Sequence, residues 1–581
     1  MRLYSSLHDY IKLISSAMGP LAFGPIFLYF KIRIKNGNVA RRRCKIAMSI
    51  AKGSVGTIVG ETNPLAFKFI INKEVGRGTY IKAKADGREW ALAQVEDVKR
   101  SNSAYSVNQL NDAARNYDSR EMMIAEARVI GVTSNGKLHL PTSPARPGDP
   151  VFIADEKLIK ATLGLAKGDM YIGMLRGYDI RVELDANTLV QKHCSVLAKT
   201  GSGKSYTAAV ILEELLERKV ALLIIDPHGE YASMKEPNKV GDFSKYKVKP
   251  RGYDATIYTP GEMAMNPRAD RPFRFNGLNM SAREVSKMIP HESSSSGQLG
   301  LLYEAISALR AETDAYTLED VIEQVVRSNS KVKWNLVGQL ESLLELGLFS
   351  GAETPVEELL RPGRAAVIDM TGILPELQSM IVSRLLTDVF EARKRRLVSP
   401  GMVVVEEAHN YIPERGSGNA ASTSIVRTIA AEGRKFGLGL MVISQRPARV
   451  DKNVISQCNT QIIMRVTNPN DLKALSKGLE GMTGDLEEEI KRLPAGVAML
   501  VSNEIERPIT VDIRPRKSRH GGVSTQIVIK EKTAAAGARA SRGAEKRAGT
   551  PPASPAGAKA KRPGEKKASG LLKKVFGARK A

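Results

Sequence analysis

Ala198-Lys-Thr-Gly201-Ser-Gly203-Lys204-Ser205 is the stretch that decides the fold of this 581-residue chain. It follows a short apolar run, Ser195-Val-Leu, and opens a helix-compatible stretch over 206–218. A strand, a glycine-rich turn and a helix in that order make a phosphate-binding loop, in which backbone N–H groups face an anion at the helix N-terminus. Gly201 and Gly203 allow the turn. Lys204 is placed to reach the β- and γ-phosphates of ATP, and Ser205 to ligate Mg²⁺. Thr200, Ser202 and Tyr206 complete the nucleotide-contacting set. The usual pattern has glycine where Ala198 stands, and alanine does not readily adopt a positive φ.

Downstream, apolar runs alternate with longer helical stretches. Val220-Ala-Leu-Leu-Ile-Ile, Ala365-Ala-Val-Ile-Asp, Met402-Val-Val-Val and Leu440-Met-Val-Ile-Ser are continuous and rich in β-branched residues. Such runs are strands buried on both faces, so an α/β fold with a mostly parallel sheet is expected over about 186–522. Residues 281–350 read as a helical insertion and about 495–522 as a C-terminal brace. In open α/β sheets the chemistry collects beyond the carboxyl ends of the strands, and four runs end in polar residues. Met402-Val-Val-Val405 leads into Glu406-Glu407-Ala-His-Asn410. Glu406 would hold the Mg²⁺ shell and Glu407 would orient and polarise the attacking water. Ile224-Ile225 leads into Asp226-Pro-His-Gly-Glu-Tyr231, which puts Asp226 beside the phosphate loop. Gln445, in Ser444-Gln-Arg-Pro447, is placed to sense the γ-phosphate. Arg434, in Glu432-Gly-Arg-Lys-Phe-Gly437, precedes that strand, and its guanidinium at a subunit edge can reach a neighbour's γ-phosphate.

Working toward the N-terminus, short strands punctuated by Gly, Pro and Asn fill about 48–185, among them Phe67-Lys-Phe-Ile-Ile and Trp90-Ala-Leu-Ala-Gln-Val. They predict a small β-barrel, interrupted by a polar, helix-compatible stretch over 105–128. Residues 13–30 carry no charge, but Gly19, Pro20, Gly24 and Pro25 break the run and no cleavage site follows. Residues 1–47 are read as an extension outside the fold, with Met48 as a candidate true start and a membrane anchor as the alternative. Residues 531–568 hold almost no large apolar side chain and are expected to be disordered. Gly570-Leu-Leu-Lys-Lys-Val-Phe-Gly is read as a solvated end, a docking helix being the alternative.

The net charge of +25 is unevenly spread: 516–581 contribute +15, 1–47 contribute +8, and the body between them only +2. A uniformly basic nucleic-acid coat is excluded; a basic tail on a near-neutral machine is not. Cys44, Cys194 and Cys458 lie far apart with no CxxC or CxxH pair, which excludes a disulfide framework and a zinc finger. A reducing, cytoplasmic setting is expected.

Taken together, 192–205, 226–231, 405–410, 432–437 and 444–447, with Ser456-Gln-Cys-Asn-Thr-Gln and Arg514-Pro-Arg-Lys-Ser-Arg-His-Gly-Gly522, resemble the HerA–FtsK class of P-loop motor ATPases, most closely the archaeal HerA helicases. The resemblance covers roughly 50–522, in order. It implies an N-terminal HAS-type barrel, a RecA-like motor with a helical insertion, and a C-terminal segment bracing the next subunit. It implies a homo-hexameric ring around double-stranded DNA, a NurA-type nuclease partner, and work beside the Mre11–Rad50 system in end resection. By motif position Lys204 and Ser205 match Walker A, Glu406 and Glu407 match Walker B, and Arg434 matches the arginine acting in trans. Lys192 stands where some relatives have Arg. Two other readings share the motifs: a conjugation- or secretion-type pumping ATPase, and a non-catalytic ring scaffold for a nuclease.

Overall fold

The computed structural model describes residues 51–522, apart from 86–88, 103–120, 135–136, 166–167, 290–295 and 479–483. The expectations for 1–47, for 531–568 and for the end 570–577 fall outside the described residues. Among the described residues no helix is long and apolar enough to cross a membrane, and Cys194 and Cys458 are buried free thiols.

The barrel uses β1 (Gly56–Asn63), β2 (Ala66–Ile71), β3 (Tyr80–Ala85), β4 (Glu89–Asn102), β5 (Glu121–Ser134), β6 (Lys137–His139) and β7 (Pro150–Ile153). The order β2-β1-β7-β3-β4-β5 closes on itself through a β2–β5 pairing, and β6 extends from β5. Closure removes the free edges that an open sheet would expose. Alternation makes the core: Phe67 and Phe69 from β2, Ala91 and Ala93 from β4, and Ala125 and Ala127 from β5 point inward. The expected helix-compatible stretch is therefore corrected over 121–128. Those residues pair with β4, and 124–128 pair with β2 as well, because Ala125, Ala127 and Val129 recur with period two.

The motor sheet contains β8 (Met170–Leu175), β9 (Arg181–Leu184), β10 (Cys194–Leu197), β11 (Ala221–Asp226), β12 (Ala255–Pro260) and β13 (Arg271–Phe273). After the short pair β14 (Phe275–Asn276) and β15 (Phe349–Ser350), it continues with β16 (Ala365–Asp369), β17 (Gly401–Val405), β18 (Leu438–Ser444), β19 (Thr460–Ile463), β20 (Val497–Val501) and β21 (Ile509–Ile513). Its order is β13-β12-β16-β11-β17-β18-β10-β19-β20-β21-β8-β9. The run from β13 to β19 is parallel, and the remaining strands add an antiparallel wing. The expected barrel boundary at 185 is thus corrected: β8 and β9 belong to the motor sheet, held by β21.

The parallel strands are buried on both faces, as their unbroken hydrophobicity requires. On β11, Leu222 and Ile224 enter one core with the phosphate-loop helix Lys204–Glu217. Leu223 and Ile225 enter the other, which runs on into the helices Ala282–Lys287, Ser296–Glu312, Leu318–Arg327 and Lys333–Glu345 between β14 and β15. Capping boxes at Ser281/Glu284 and Thr317/Asp320 start two of these helices.

The segment 514–520 packs on its own chain. Arg514 is fully buried, with Nη1 3.1 Å from Glu213 and Nη2 2.8 Å from Glu214, both on the phosphate-loop helix. Its Nε–H donates to the Tyr171 carbonyl. Lys517 reaches Glu214 and Glu217, and the Ser518 N–H and hydroxyl both donate to Glu213. The expected brace on the next subunit is, over these residues, a strap along the chain's own helix, because two buried glutamates demand cations at that place. Arg514→Met leaves Glu213 short of its main charge partner, so a loss of about 3–5 kcal/mol is expected. Urea unfolding measures it, and a loss below about 1 kcal/mol, the scale of an exposed pair, would refute the anchoring.

Candidate active site

The phosphate loop leaves β10 at Leu197. Ala198 is buried, its N–H donates to the Ser444 carbonyl, and it is not among the residues with positive φ. The alanine therefore costs no backbone strain. The turn uses positive φ at Gly201 (77°) and Gly203 (101°), and the Thr207 N–H donates to the Gly203 carbonyl to start the helix. Lys199 N–H and Ser202 Oγ–H both donate to the Arg465 carbonyl beyond β19, which fixes the loop to a neighbouring strand end.

At the mouth of this loop Lys204 Nζ lies 2.7 Å from Glu406 Oε1 and 2.6 Å from Glu407 Oε1. All three side chains are buried. Burial opposes the Lys204 charge, but the two carboxylates outweigh it and raise its pKa. Burial likewise raises the pKa of Glu406, against the pull of Lys204. Ser205 Oγ–H lies 3.3 Å from Glu406 Oε1, and the Tyr231 hydroxyl donates to Glu406 Oε2 at 2.6 Å. Glu406 follows the last residue of β17, and its N–H donates to the Ile225 carbonyl on β11. Glu407 turns the chain with φ at 49°, a conformation that costs a bulky residue about 1 kcal/mol or more and concentrates at functional sites. Among the described residues its Oε2 accepts no hydrogen bond, and His409 Nδ1 lies 3.4 Å away. His409 also meets Ser444 Oγ at 3.2 Å. Burial holds the His409 pKa below the usual imidazole value, against the attraction of Glu407.

Asp226 and Asp369 stand side by side in register at the ends of β11 and β16, both fully buried. Asp226 accepts the N–H groups of His228 and Tyr231, at 3.2 and 2.9 Å. Burial, with Asp369 and Glu406 adding to it, pushes the Asp226 pKa up to about 7 against the backbone N–H groups of Tyr231 and Glu230. Gln445, just beyond β18, accepts the Thr200 hydroxyl, so this amide sits on the phosphate loop. Tyr206 is engaged by the strap: its hydroxyl accepts the Arg516 N–H at 2.9 Å and its ring meets His520 edge-on at 5.7 Å.

Of the expected residues, the fold brings Thr200 through Ser205, Asp226, Glu406, Glu407 and Gln445 to one sheet edge. Arg434 is not there. It is exposed in the last turn of the helix Thr423–Phe436, before β18, whereas the site lies beyond the far end of that strand. The strand's 7 residues place it roughly 23 Å from its own phosphate loop.

A family model described as helicase HerA, central domain, matches residues 170–389, and the HAS barrel domain matches 55–135. The chain is thus similar to the HerA helicases along both its barrel and its motor. A probable helicase of Methanocaldococcus jannaschii is 28% identical over 506 residues, covering 82% of this chain and 93% of the relative. The DNA double-strand break repair helicase HerA of Pyrococcus furiosus is 28% identical over 529 residues, covering 81% of this chain and 94% of the relative. The structure of VirB4 of Thermoanaerobacter pseudethanolicus matches 60% of this chain and 96% of that one at 16% identity, with a TM-score of 0.44.

In this chain the oxygen donors Ser205 and Glu406 fit Mg²⁺, which prefers hard oxygen ligands and keeps water and phosphate in its shell. Among the described residues no group of three or more His, Cys, Asp or Glu side chains is arranged to hold a metal alone. A two-ligand, phosphate-assisted shell is thus the chemistry the donors suit. Sequence reasoning gave no role to Tyr231, His409 or Asp369. Asp369 carried the same signal as Asp226, an apolar strand ending in an acid. Tyr231 and His409 lay inside quoted motifs, but their targets are set by contacts across the sheet.

Between about pH 4 and 7 native Asp226 keeps a proton that the unfolded chain has released, so stability falls as pH rises, by up to about 1.4 kcal/mol per unit, and levels above pH 7. Asp226→Asn removes that slope. Urea unfolding at pH 5, 6, 7 and 8 tests it: parallel pH profiles for the variant and wild type would contradict the protonated Asp226.

Proposed function

We propose that the chain is the ATP-hydrolysing subunit of a homo-hexameric ring that translocates on and unwinds double-stranded DNA, serving end resection with a NurA-type nuclease beside the Mre11–Rad50 system. The observation that carries the reading is Lys204 held between Glu406 and Glu407 at the mouth of the phosphate loop. Relatives named as DNA double-strand break repair helicases, matched over most of their length, supply the DNA and repair context.

Nucleotide phosphates compete with the two carboxylates for Lys204, and its transfer to them frees Glu407 for water. Glu407 then orients and polarises the attacking water. Glu406, fixed by the Tyr231 hydroxyl, and Ser205 would hold the metal shell. Bound Mg²⁺ would neutralise charge on the β- and γ-phosphate oxygens. Gln445, resting on Thr200, faces the γ-phosphate side of the loop. Arg434 from a neighbouring copy stabilises the charge on the transferring phosphoryl group, which accounts for an exposed arginine far from its own loop. Tracking of the DNA backbone would be salt-sensitive and largely sequence-independent.

Steady-state ATP hydrolysis with and without linear duplex DNA tests the reading. Duplex is expected to stimulate turnover, and Glu407→Gln to lower it by at least about 10²-fold while nucleotide still binds. Turnover that survives the substitution would remove Glu407 from the chemistry. An inert wild type that still stimulates a bound nuclease would favour the scaffold reading.

A further inference from the structure

His193, one residue before β10, has a φ of 58°, in the left-handed region that side-chain-bearing residues seldom occupy. It is only 3% exposed, and both ring nitrogens are used. Nδ1 accepts the Leu440 backbone N–H at 3.0 Å, near the start of β18. The proton therefore sits on Nε2, which lies 3.1 Å from the Ala430 carbonyl oxygen and donates to it. Ala430 belongs to the helix Thr423–Phe436. In an α-helix the carbonyl of residue 430 takes the N–H of residue 434. His193 thus shares an acceptor with the backbone of Arg434.

The joint has little slack. A Cβ on Gly433 would come 2.4 Å from the Leu438 carbonyl oxygen, so helix and strand meet backbone to backbone beside Arg434. On the other side, β10 runs directly from His193 into the phosphate loop, flanked by β18 and β19. One imidazole therefore links the strand that ends in this chain's loop to the helical turn that carries Arg434.

We propose that His193 is a positioning residue for Arg434, holding the arginine in fixed relation to the phosphate-loop strand so that it meets the neighbouring subunit's nucleotide. This rests on the reading that Arg434 acts in trans. His193 touches no substrate, and its replacement should lower kcat and leave nucleotide affinity alone.

The test compares His193→Asn, His193→Gln, Arg434→Ala and the His193→Asn/Arg434→Ala double variant by DNA-stimulated kcat and by Kd for a non-hydrolysable ATP analogue. Asparagine tolerates the left-handed backbone but does not reach Ala430, so kcat should fall about tenfold with Kd within about twofold of wild type. Glutamine keeps a donor near the Nε2 position and should recover at least about half of wild-type kcat. The double variant should be no slower than Arg434→Ala, as expected for two residues acting through one group. Normal kcat in His193→Asn, or losses that multiply in the double variant, would overturn the positioning role and leave the arginine reading standing. Normal kcat in Arg434→Ala would overturn both. If His193→Asn does not fold, a folded His193→Gln that has lost tenfold or more in kcat would also overturn the proposal.

Discussion

The site is organised by a charge that cannot be buried alone. Lys204 is removed from water at the start of the phosphate-loop helix, and an unpaired ammonium there would cost several kcal/mol. Its partners, Glu406 and Glu407, come from the end of a strand two hundred residues away, so β10 and β17 must finish at the same level of the sheet. They do so with β18 between them, which places Ser444 and Gln445 at that level too. One cation facing two carboxylates leaves negative charge over, and the Tyr231 hydroxyl and the Ser205 hydroxyl take part of it as hydrogen bonds to Glu406. Such a site is poised to exchange partners. Phosphates can take the ammonium, and a divalent cation can take the carboxylate.

The same helix is held from its other end by the opposite arrangement. There the buried charges on the helix are acidic, Glu213 and Glu214, and the chain returns some three hundred residues later with Arg514, Lys517 and Ser518 to satisfy them. Buried ion pairs add little net stability compared with apolar packing, but removing one partner is expensive, so they work as registration devices. Here they register a C-terminal strap against the helix whose first turn carries Lys204 and Ser205. Tyr206, in that first turn, meets the strap through Arg516 and His520. The phosphate-loop helix is thereby joined directly to the strap.

Local sequence made half of this legible. The phosphate loop, the paired acids after Val405 and the acid at Asp226 are each written within a few residues, since strand hydrophobicity and the polar residue that ends it are neighbours in the chain. Features that depend on partners far away were lost or misplaced. The β8–β9 hairpin reads like one more barrel hairpin, and only its pairing with β21 assigns it to the motor. The alternation in β5 was obscured by the polar residues before it. Arg514-Pro-Arg-Lys-Ser-Arg was legible only as part of a brace for the next subunit, because nothing nearby announces Glu213 and Glu214 on the phosphate-loop helix. Tyr231 and His409 were visible as letters of motifs, but their work is defined by Glu406 and Glu407 on another strand.

Arg434 gives the remaining constraint its meaning. A parallel sheet has two chemically distinct ends, and every candidate catalytic group of this chain except Arg434 lies at the carboxyl end. β18 spans the two ends, with the arginine's helical turn before its first residue and Gln445 after its last. A short buried strand is among the stiffest links a protein offers, because its neighbours on both sides and both faces fix its position. Under the proposed arrangement the strand would join the end that reads a subunit's own nucleotide to the end that acts on the next. A ring built from such subunits needs no separate signalling element: movement of the loop end of β10 and β18 would displace the arginine end through a core too tightly packed to absorb it.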